Sequence, residues 1–344
     1  MVHDRIGCGG QGVTDRAARD VTNENLAVRV SPRTVPATSA SESSLAGPPP
    51  GARTVRSVAR RLARAAATST SWARPLPDFL VLGVKRGGTT SLYRWLLEHP
   101  SVLPMFPSAR LLPMRADLKG VHFFDARFDA GAAWYRSHFP SRLTRGLVTR
   151  RTGSRAVAGE STPYYLHHPL AAARARAVIP DVRLVVLLRD PVERAWSHFK
   201  EQRRRGFEPL ERFEDALDAE EGRLLGEAER LLHEQGSTSF AHEHQSYVAT
   251  SRYVEALDRW TTAFPVHQVL VLASEDLYRS PEAVYERVLS FLDLPPASLD
   301  ARPHNRTQGE LPAATRRRLI GELAPDTLAL EAALGRRFDW STSS

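Results

Sequence analysis

Cysteine, lysine and long apolar segments are scarce in this chain of 344 residues. Its one cysteine, Cys8, excludes a disulfide framework and a metal centre built from several cysteines, and it is typical of a reducing, cytoplasmic setting. No apolar run approaches the roughly 18 residues of a membrane-spanning helix, and the N-terminus lacks the apolar core of a secretory signal. The composition, 42% hydrophobic and 25% charged, predicts a globular cytoplasmic protein without a membrane span.

The basic surplus of the chain is concentrated at its N-terminus. Residues 1–76 contain eleven arginines and five acidic residues, a charge of +6 that leaves +2 of the total +8 for the rest. Their first fifty residues are rich in Ser, Thr, Gly and Pro without a sustained period, although residues 52–67 have the spacing of a basic helix. We predict a disordered basic extension over 1–76 and a folded domain over 77–341, and we expect no specific nucleic-acid partner.

Three short apolar runs read as buried strands. They are "FLVLGV" (79–84), "VRLVVLLRD" (182–190) and "HQVLVLASEDL" (267–277), with helical patterns between them such as "PLAAARARAVIP" (169–180). Strands that alternate with helices predict an α/β fold, with a P-loop-like central parallel sheet flanked by helices. In such folds the functional residues lie at the carboxyl ends of the strands.

A glycine loop follows the first of these strands. Gly83 and Gly88 have the spacing of the nucleotide-binding motif G-x-x-x-x-G-K-[ST], but Thr89 occupies the lysine position. The nearest lysine is Lys85, which is notable because only three of the 47 basic residues are lysines (the others are Lys119 and Lys200). Glycines, hydroxyls and a helix N-terminus predict a phosphate-binding loop. The residues that we expect to line it are Lys85, Arg86, Gly87, Gly88, Thr89, Thr90 and Ser91.

The second strand ends in an arginine before a marked helix start. Asp190 is suited to the N-cap, Pro191 to the first helical position, and Glu193 to the third position of a capping box. Arg189 and Ser197 of the same stretch predict a site for a second phosphate. A second interpretation of Asp190 is a metal ligand, but its fit as an N-cap favours the structural role.

These motifs carry a family resemblance. "VKRGGTTSLYRWL" and "LLRDPVERAWSHF" resemble the 5′- and 3′-phosphate motifs of sulfotransferases that use PAPS (3′-phosphoadenosine 5′-phosphosulfate), in the branch of the heparan sulfate O- and N-sulfotransferases and their bacterial relatives. Further similar segments are "VHFFDARFDAGAAWYRSHFP" (121–140), "GESTPYYL" (159–166), "RYVEALDRWTTAFP" (252–265) and "LEAALGRRFDW" (330–340). The resemblance covers residues 77–341.

The resemblance implies a sulfotransferase fold and a reaction. A sulfuryl group would pass from PAPS, without a metal, to a hydroxyl or amine of a small-molecule, lipid or carbohydrate acceptor. The loop from Lys85 to Ser91 would hold the 5′-phosphosulfate, with Lys85 stabilising the bridging oxygen as the S–O bond breaks. Arg189 and Ser197 would hold the 3′-phosphate, and Arg306 of "RPHNRTQGELP" (302–312) would give it a second contact.

The general base is not evident, because the sequence departs from the family pattern. Gly120 stands where the heparan sulfate branch has a glutamate before the V-H-F-F-D segment. We favour His122 as the base because its ordinary pKa suits proton transfer near neutrality, with Glu160 and Asp125 as alternatives. Ser161 also replaces a lysine of that branch, which weakens the assignment of a heparan-like acceptor.

Two other functions are compatible with parts of the sequence. A P-loop kinase of small molecules shares the fold but needs a lysine after Gly88, and a non-catalytic nucleotide or nucleic-acid binder would fit the basic tail and Gly120. The polar insert 203–250 predicts a helical cap over the acceptor cleft. Its histidines His242 and His244 lack a third ligand at suitable spacing, so we expect no metal there.

Overall fold

The computed structural model describes residues 62–108, 119–299 and 310–342. In these residues the strands are β1 (Phe79–Gly83), β2 (Val102–Leu103), β3 (Val157–Glu160), β4 (Arg183–Leu188) and β5 (Val269–Ala273). They form one parallel sheet in the order β2-β3-β1-β4-β5. The predicted α/β fold with a central parallel sheet is confirmed.

The helices of the described residues connect and cover these strands. They are α1 (Thr89–Glu98), α2 (Phe123–Ala126), α3 (Gly131–Arg136), α4 (Arg142–Thr152), α5 (Ala171–Val178), α6 (Pro191–Arg205), α7 (Phe213–Leu224), α8 (Glu227–His233), α9 (Phe240–His244), α10 (Val254–Ala263), α11 (Ser274–Arg279), α12 (Pro281–Phe291) and α13 (Ala313–Leu334). Among them none is both long and apolar enough to cross a membrane. The insert 203–250 is helical, as predicted, through α7, α8 and α9.

The sheet is buried on both faces, which explains the continuous apolar runs of its central strands. Leu184 and Val186 of β4 pack into a cluster that includes Trp260 of α10. Val185, which points to the opposite face, packs into a second cluster with Leu92 of α1. Successive side chains of a strand alternate between faces, so one strand supplies both cores.

Two strands escaped prediction because their sequences carry little signal. β2 has two residues, and β3 reads Val-Ala-Gly-Glu, which is too short and too poor in large apolar residues to show a pattern. β3 nevertheless pairs with β1 and β2. The motif "GESTPYYL" therefore begins in a strand beside the glycine loop's own strand, which sequence alone did not indicate.

Regular structure is present before residue 77. Residues 62–69 are helical, and Ser71–Ala73 form a 3-10 turn. Arg64 donates to the carbonyl oxygens of Ser137 at 2.6 Å and Phe106 at 2.9 Å, and Arg74 donates to that of Phe139 at 2.6 Å. Residues 62–76 thus contact the domain through these arginines. Residues 1–61 lie outside the described part of the chain, and the boundary at residue 77 stays a prediction.

Candidate active site

The candidate residues come from the carboxyl ends of neighbouring strands. β1 leads into the glycine loop, β3 ends at Glu160, and Arg189 directly follows β4. Because parallel strands end at the same edge of a sheet, these three segments meet there. β1 lies between β3 and β4, so the glycine loop occupies the middle of the group.

The glycine loop is held by close packing that only glycine permits. A Cβ on Gly83, whose φ is 146°, would lie 2.5 Å from the carbonyl oxygen of Leu187 in β4. Gly88 has a φ of 85° and forms the N-cap of α1. Arg86 also has a positive φ, 75°, although it carries a side chain. Such strain is typical of a loop whose backbone is shaped for a ligand.

The predicted residues of the second phosphate site lie together around Arg86. Its Nε donates to Ser197 Oγ at 3.0 Å, and Arg189 Nη1 donates to its main-chain oxygen at 3.0 Å. Ser197 is buried, whereas Arg189 is partly exposed. Glu201 Oε2 lies 3.7 Å from Arg86 Nη1 and supplies a counter-charge. Arg86, Arg189 and Ser197 therefore form one basic, hydroxyl-bearing cluster beside the loop.

Asp190 is the helix cap that its sequence predicts. Its Oδ1 accepts from the backbone amides of Val192 at 2.9 Å and Glu193 at 3.1 Å. The reciprocal half of the predicted capping box is absent, because the amide of Asp190 donates to Glu275 Oε1 instead, at 3.0 Å. Asp190 Oδ2 accepts from Ser341. Both oxygens are thus engaged in structural bonds, which argues against a metal-ligand role.

Lys85 is tied to the helical insert. Its Nζ lies 2.9 Å from Glu243 Oε1, donates to the main-chain oxygen of Glu243 at 2.8 Å, and stands 5.1 Å from the centre of the Tyr164 ring. Burial lowers the pKa of Lys85, an effect that the charge and hydrogen bond of Glu243 oppose. Burial raises the pKa of Glu243, but Lys85 outweighs this and the net pKa lies below its ordinary value. The net pKa of Lys85 also lies below its ordinary value, because burial outweighs the effect of Glu243.

His122 faces the same region and is paired with Asp125. Its side chain is 46% exposed, and its Nδ1 lies 2.7 Å from Asp125 Oδ2. Burial lowers the pKa of His122, but the hydrogen bond and charge of Asp125, with smaller effects of Glu243 and Glu160, outweigh it and leave the pKa raised. The φ of His122 is 54°, a second strained position in the site. A carboxylate-oriented imidazole with an open face is the arrangement of a general base.

Glu160 has a structural environment. It is fully buried, and Val121 N and Thr162 Oγ1 each donate to Oε2 at 2.7 Å. Tyr135 and Tyr165 donate their hydroxyls to Oε1 at 2.7 and 3.2 Å. Burial raises the pKa of Glu160, while these hydrogen bonds oppose the rise. With four donors around its two enclosed oxygens, Glu160 links Val121 and Thr162 to the two tyrosines, and its role as an alternative base stays a prediction.

Gly120 has no room for the glutamate that the family pattern leads one to expect. A Cβ at this position would lie 2.6 Å from Thr162 Oγ1 and 2.9 Å from the carbonyl oxygen of Ser161. Both neighbours belong to the segment after β3, whose position is fixed by Glu160. The packing around Gly120 therefore disfavours a glutamate side chain at the position where the sequence lacks one.

Two residues that sequence reasoning left without a role also lie here. Glu243 comes from the insert, where no local pattern marks it. Lys119 Nζ donates to Thr89 Oγ1 at 3.1 Å and Thr90 Oγ1 at 2.7 Å, so it reaches the glycine loop from a different segment. The scarcity of lysine in the chain was the one sequence signal for Lys119.

The remaining predictions concern metals and Arg306. Among the residues that the structure describes, no three His, Cys, Asp or Glu side chains are placed to hold a metal ion. His242, a residue of the insert, instead has its Nδ1 2.8 Å from the hydroxyl of Tyr164. Arg306 lies outside the described residues.

Comparison with known proteins gives the family. A family model described as "Sulfotransferase family" matches residues 77–298. Heparan sulfate glucosamine 3-O-sulfotransferase 3B1 of Homo sapiens is 30% identical over 242 residues, which are 70% of this chain and 52% of the human protein. The bifunctional heparan sulfate N-deacetylase/N-sulfotransferase 1 of Caenorhabditis elegans is 27% identical, over 64% of this chain and 22% of the nematode protein. The chain thus spans about half or less of the length of these relatives.

A solved structure shows the same fold. The crystal structure of a sulfotransferase from Alicyclobacillus acidocaldarius superimposes with a TM-score of 0.55 at 26% identity, over 77% of this chain and 98% of the other. The family match covers more than half of the chain and disfavours the kinase that the glycine spacing left open. The chain therefore belongs to the sulfotransferase family.

Proposed function

We propose that this protein transfers the sulfuryl group of PAPS to a hydroxyl or amine of a small-molecule, lipid or carbohydrate acceptor. The observation that carries the proposal is the convergence of two anion sites at one edge of the sheet. One is the loop with Lys85, and the other is the cluster of Arg189, Ser197 and Arg86. A donor with a 5′-phosphosulfate and a 3′-phosphate needs two such sites on one nucleoside.

The residues present fit this donor better than a nucleoside triphosphate. Thr89 stands where a triphosphate loop has its lysine, and Asp190 is engaged as a helix cap rather than open to Mg²⁺. Among the described residues, Ser274 Oγ is buried without a hydrogen-bond partner, 3.5 Å from where a Cβ on Gly88 would lie. A hydroxyl left without a partner beside the loop suits an additional phosphate or sulfate oxygen.

With a hydroxyl acceptor, the reaction exchanges one S–O bond for another. The acceptor oxygen bonds to sulfur, the bond from sulfur to the bridging oxygen of the 5′-phosphate breaks, and the proton of the acceptor passes to a base. In our proposal the base is the imidazole of His122, which Asp125 orients through Nδ1 and leaves open at Nε2. Lys85 stabilises the negative charge that develops on the departing phosphate.

Titration calorimetry in the presence of EDTA tests the donor. We expect PAP (3′-phosphoadenosine 5′-phosphate) to bind without Mg²⁺ and ATP not to bind. Arg189→Ala should weaken PAP binding about 10- to 100-fold, the effect of one or two charged hydrogen bonds. The same change should leave 5′-AMP, which lacks the 3′-phosphate, unaffected. A preference of the wild-type protein for ATP would contradict the proposal.

Two controls complete this experiment. Arg150→Ala removes an exposed arginine at the end of α4 and should leave PAP binding unchanged. Transfer from radiolabelled PAPS to a panel of phenols, lipid alcohols and glycosaminoglycan oligosaccharides then identifies the acceptor class. Tight PAP binding with no transfer to any of these would favour a non-catalytic nucleotide-binding relative.

A further inference from the structure

Lys119 places an ammonium group on the first turn of α1. Its Nζ donates to the hydroxyls of Thr89 and Thr90, which lie 30 and 29 residues before it in the chain. Its main-chain oxygen accepts from the amide of Ser161 at 2.7 Å, which fixes the residue beside the end of β3. The ammonium therefore approaches the glycine loop from the side opposite to the Arg189 cluster on β4.

Lys119 has two cationic neighbours, Arg94 and Arg205. Among the described residues, no carboxylate lies within ion-pair distance, and its hydrogen-bond partners are two neutral hydroxyls. Burial, followed by the charges of Arg94 and Arg205, lowers the pKa of Lys119 to about 8. A partly buried cation with cationic neighbours is unfavourable unless an anion joins it.

The ammonium of Lys119 lies near the position at which the glycine loop lacks the lysine of the nucleotide-binding motif. In the motif G-x-x-x-x-G-K-[ST] the lysine after the second glycine contacts phosphates, and here that position holds Thr89. Lys119 Nζ lies 3.1 Å from the side-chain oxygen of that same threonine. Lys119 thus brings a cation from a separate segment to the N-terminus of α1. Helix N-termini attract anions.

We propose that Lys119 is a second cationic ligand for the phosphosulfate end of the donor, acting from the side of the loop opposite to Arg189. This inference rests on the proposed function. Lys119 contacts the non-bridging oxygens of the 5′-phosphate, and Lys85 acts at the bridging oxygen. When the S–O bond breaks, the electron pair of that bond stays on the phosphate, and Lys119 stabilises the added charge.

Ligand analogues that differ by one phosphate test this assignment. Lys119→Met, which keeps an apolar stem of similar length, should weaken PAP binding about 10- to 100-fold. It should leave the binding of 3′-AMP, which has no 5′-phosphate, within twofold of wild type. Arg150→Ala serves again as the control for removal of a distant positive charge, and thermal unfolding confirms that each variant is folded.

The pH dependence of binding supplies a readout that a structural role would not change. PAP affinity of the wild-type protein should fall as the pH rises through the pKa of Lys119, because the neutral amine no longer attracts the phosphate. Lys119→Arg should keep the affinity and lose this step, since an arginine stays protonated. Lys119→Met should be weak at every pH.

Three results would overturn the inference. Wild-type affinity of Lys119→Met for PAP would contradict it alone, as would equal weakening of PAP and 3′-AMP, which indicates a distorted loop. A pH step that persists in Lys119→Arg would assign the titration to another group and contradict it as well. Failure of the wild-type protein to bind PAP would instead contradict the proposed donor, and the inference with it.

Discussion

Lys85 Nζ lies 2.9 Å from Glu243 Oε1 and also donates to the main-chain oxygen of Glu243. A short helix of the insert, α9, therefore contacts the cation that we propose for the donor. An ammonium has three protons to donate, so the two bonds leave one for a ligand. The carboxylate of Glu243 and the phosphosulfate are both anions that compete for the charge of Lys85. The insert thus contacts the glycine loop through an ion pair. The sequence had predicted only that the insert covers the acceptor cleft.

This competition predicts the effect of neutralising Glu243. Glu243→Gln keeps the shape of the side chain and the main-chain bond but removes the negative charge. We expect PAP to bind about 3- to 10-fold more tightly, the scale of a partly exposed ion pair, as measured by calorimetry. Glu229→Gln, an exposed position on α8, is the control. Weaker PAP binding by Glu243→Gln would show that Glu243 orients Lys85 for the donor rather than competing with it.

The His122–Asp125 pair predicts the pH profile of turnover. A general base acts in its deprotonated form, so kcat/KM should rise as the pH rises through the pKa of His122, which Asp125 holds above its ordinary value. Asp125→Asn removes the charge that raises this pKa, so the rise should move to lower pH. Steady-state rates across the pH range, at saturating PAPS, measure both profiles.

The same pair predicts a separation of binding from turnover. His122→Ala should lower kcat about 10²- to 10⁴-fold, the usual contribution of a general base, and leave PAP affinity unchanged. His233→Ala, at the exposed end of α8, is the matched control. A fully active His122→Ala enzyme would refute the assignment of the base.

Gly120 predicts that the family glutamate cannot simply be reintroduced. A side chain at this position meets Thr162 Oγ1 at 2.6 Å and the carbonyl oxygen of Ser161 at 2.9 Å. Gly120→Glu should therefore reduce the free energy of unfolding by about 1–3 kcal/mol, the usual effect of overpacking, and should not raise kcat. Denaturant unfolding measures the change. Gly222→Glu on α7, where a Cβ meets nothing within 4 Å, should be tolerated, and a stable, more active Gly120→Glu would contradict the packing argument.

What the sequence predicted correctly was encoded locally. β1, the loop to Ser91, β4 and the cap at Asp190 each follow from residues within a few positions of one another, and the structure has all four. A strand that is buried on both faces must be apolar throughout, and a helix start needs an acceptor at its N-cap. These requirements determine residue types at neighbouring positions, so they can be recognised in the local sequence.

What the sequence did not indicate depends on contacts between distant segments. Glu243 lies 158 residues after Lys85, and nothing in α9 marks it as a partner of that lysine. Glu275, from the first turn of α11, replaces Glu193 as the acceptor for the amide of Asp190. The hydroxyl of Tyr135 and the amide of Val121, which enclose Glu160, come from a distant segment that its sequence neighbours do not show. The residue types indicated which side chains are chemically suited to the site. The contacts of those side chains with distant segments could not be predicted from the sequence.

Arg64 predicts that the segment before residue 77 stabilises the domain. Its guanidinium donates to the main-chain oxygens of Ser137 and Phe106, and burial, with a smaller effect of Arg74, lowers its pKa to about 10, so it remains charged at neutral pH. Arg64→Ala leaves two carbonyl groups without their donor and should reduce the free energy of unfolding by about 1–3 kcal/mol. Leu62→Ala, in the same helix but 66% exposed, should change it by less than about 0.5 kcal/mol. Denaturant unfolding of the full chain compares the two, and equal stability of the Arg64→Ala and wild-type proteins would show that these contacts do not stabilise the domain.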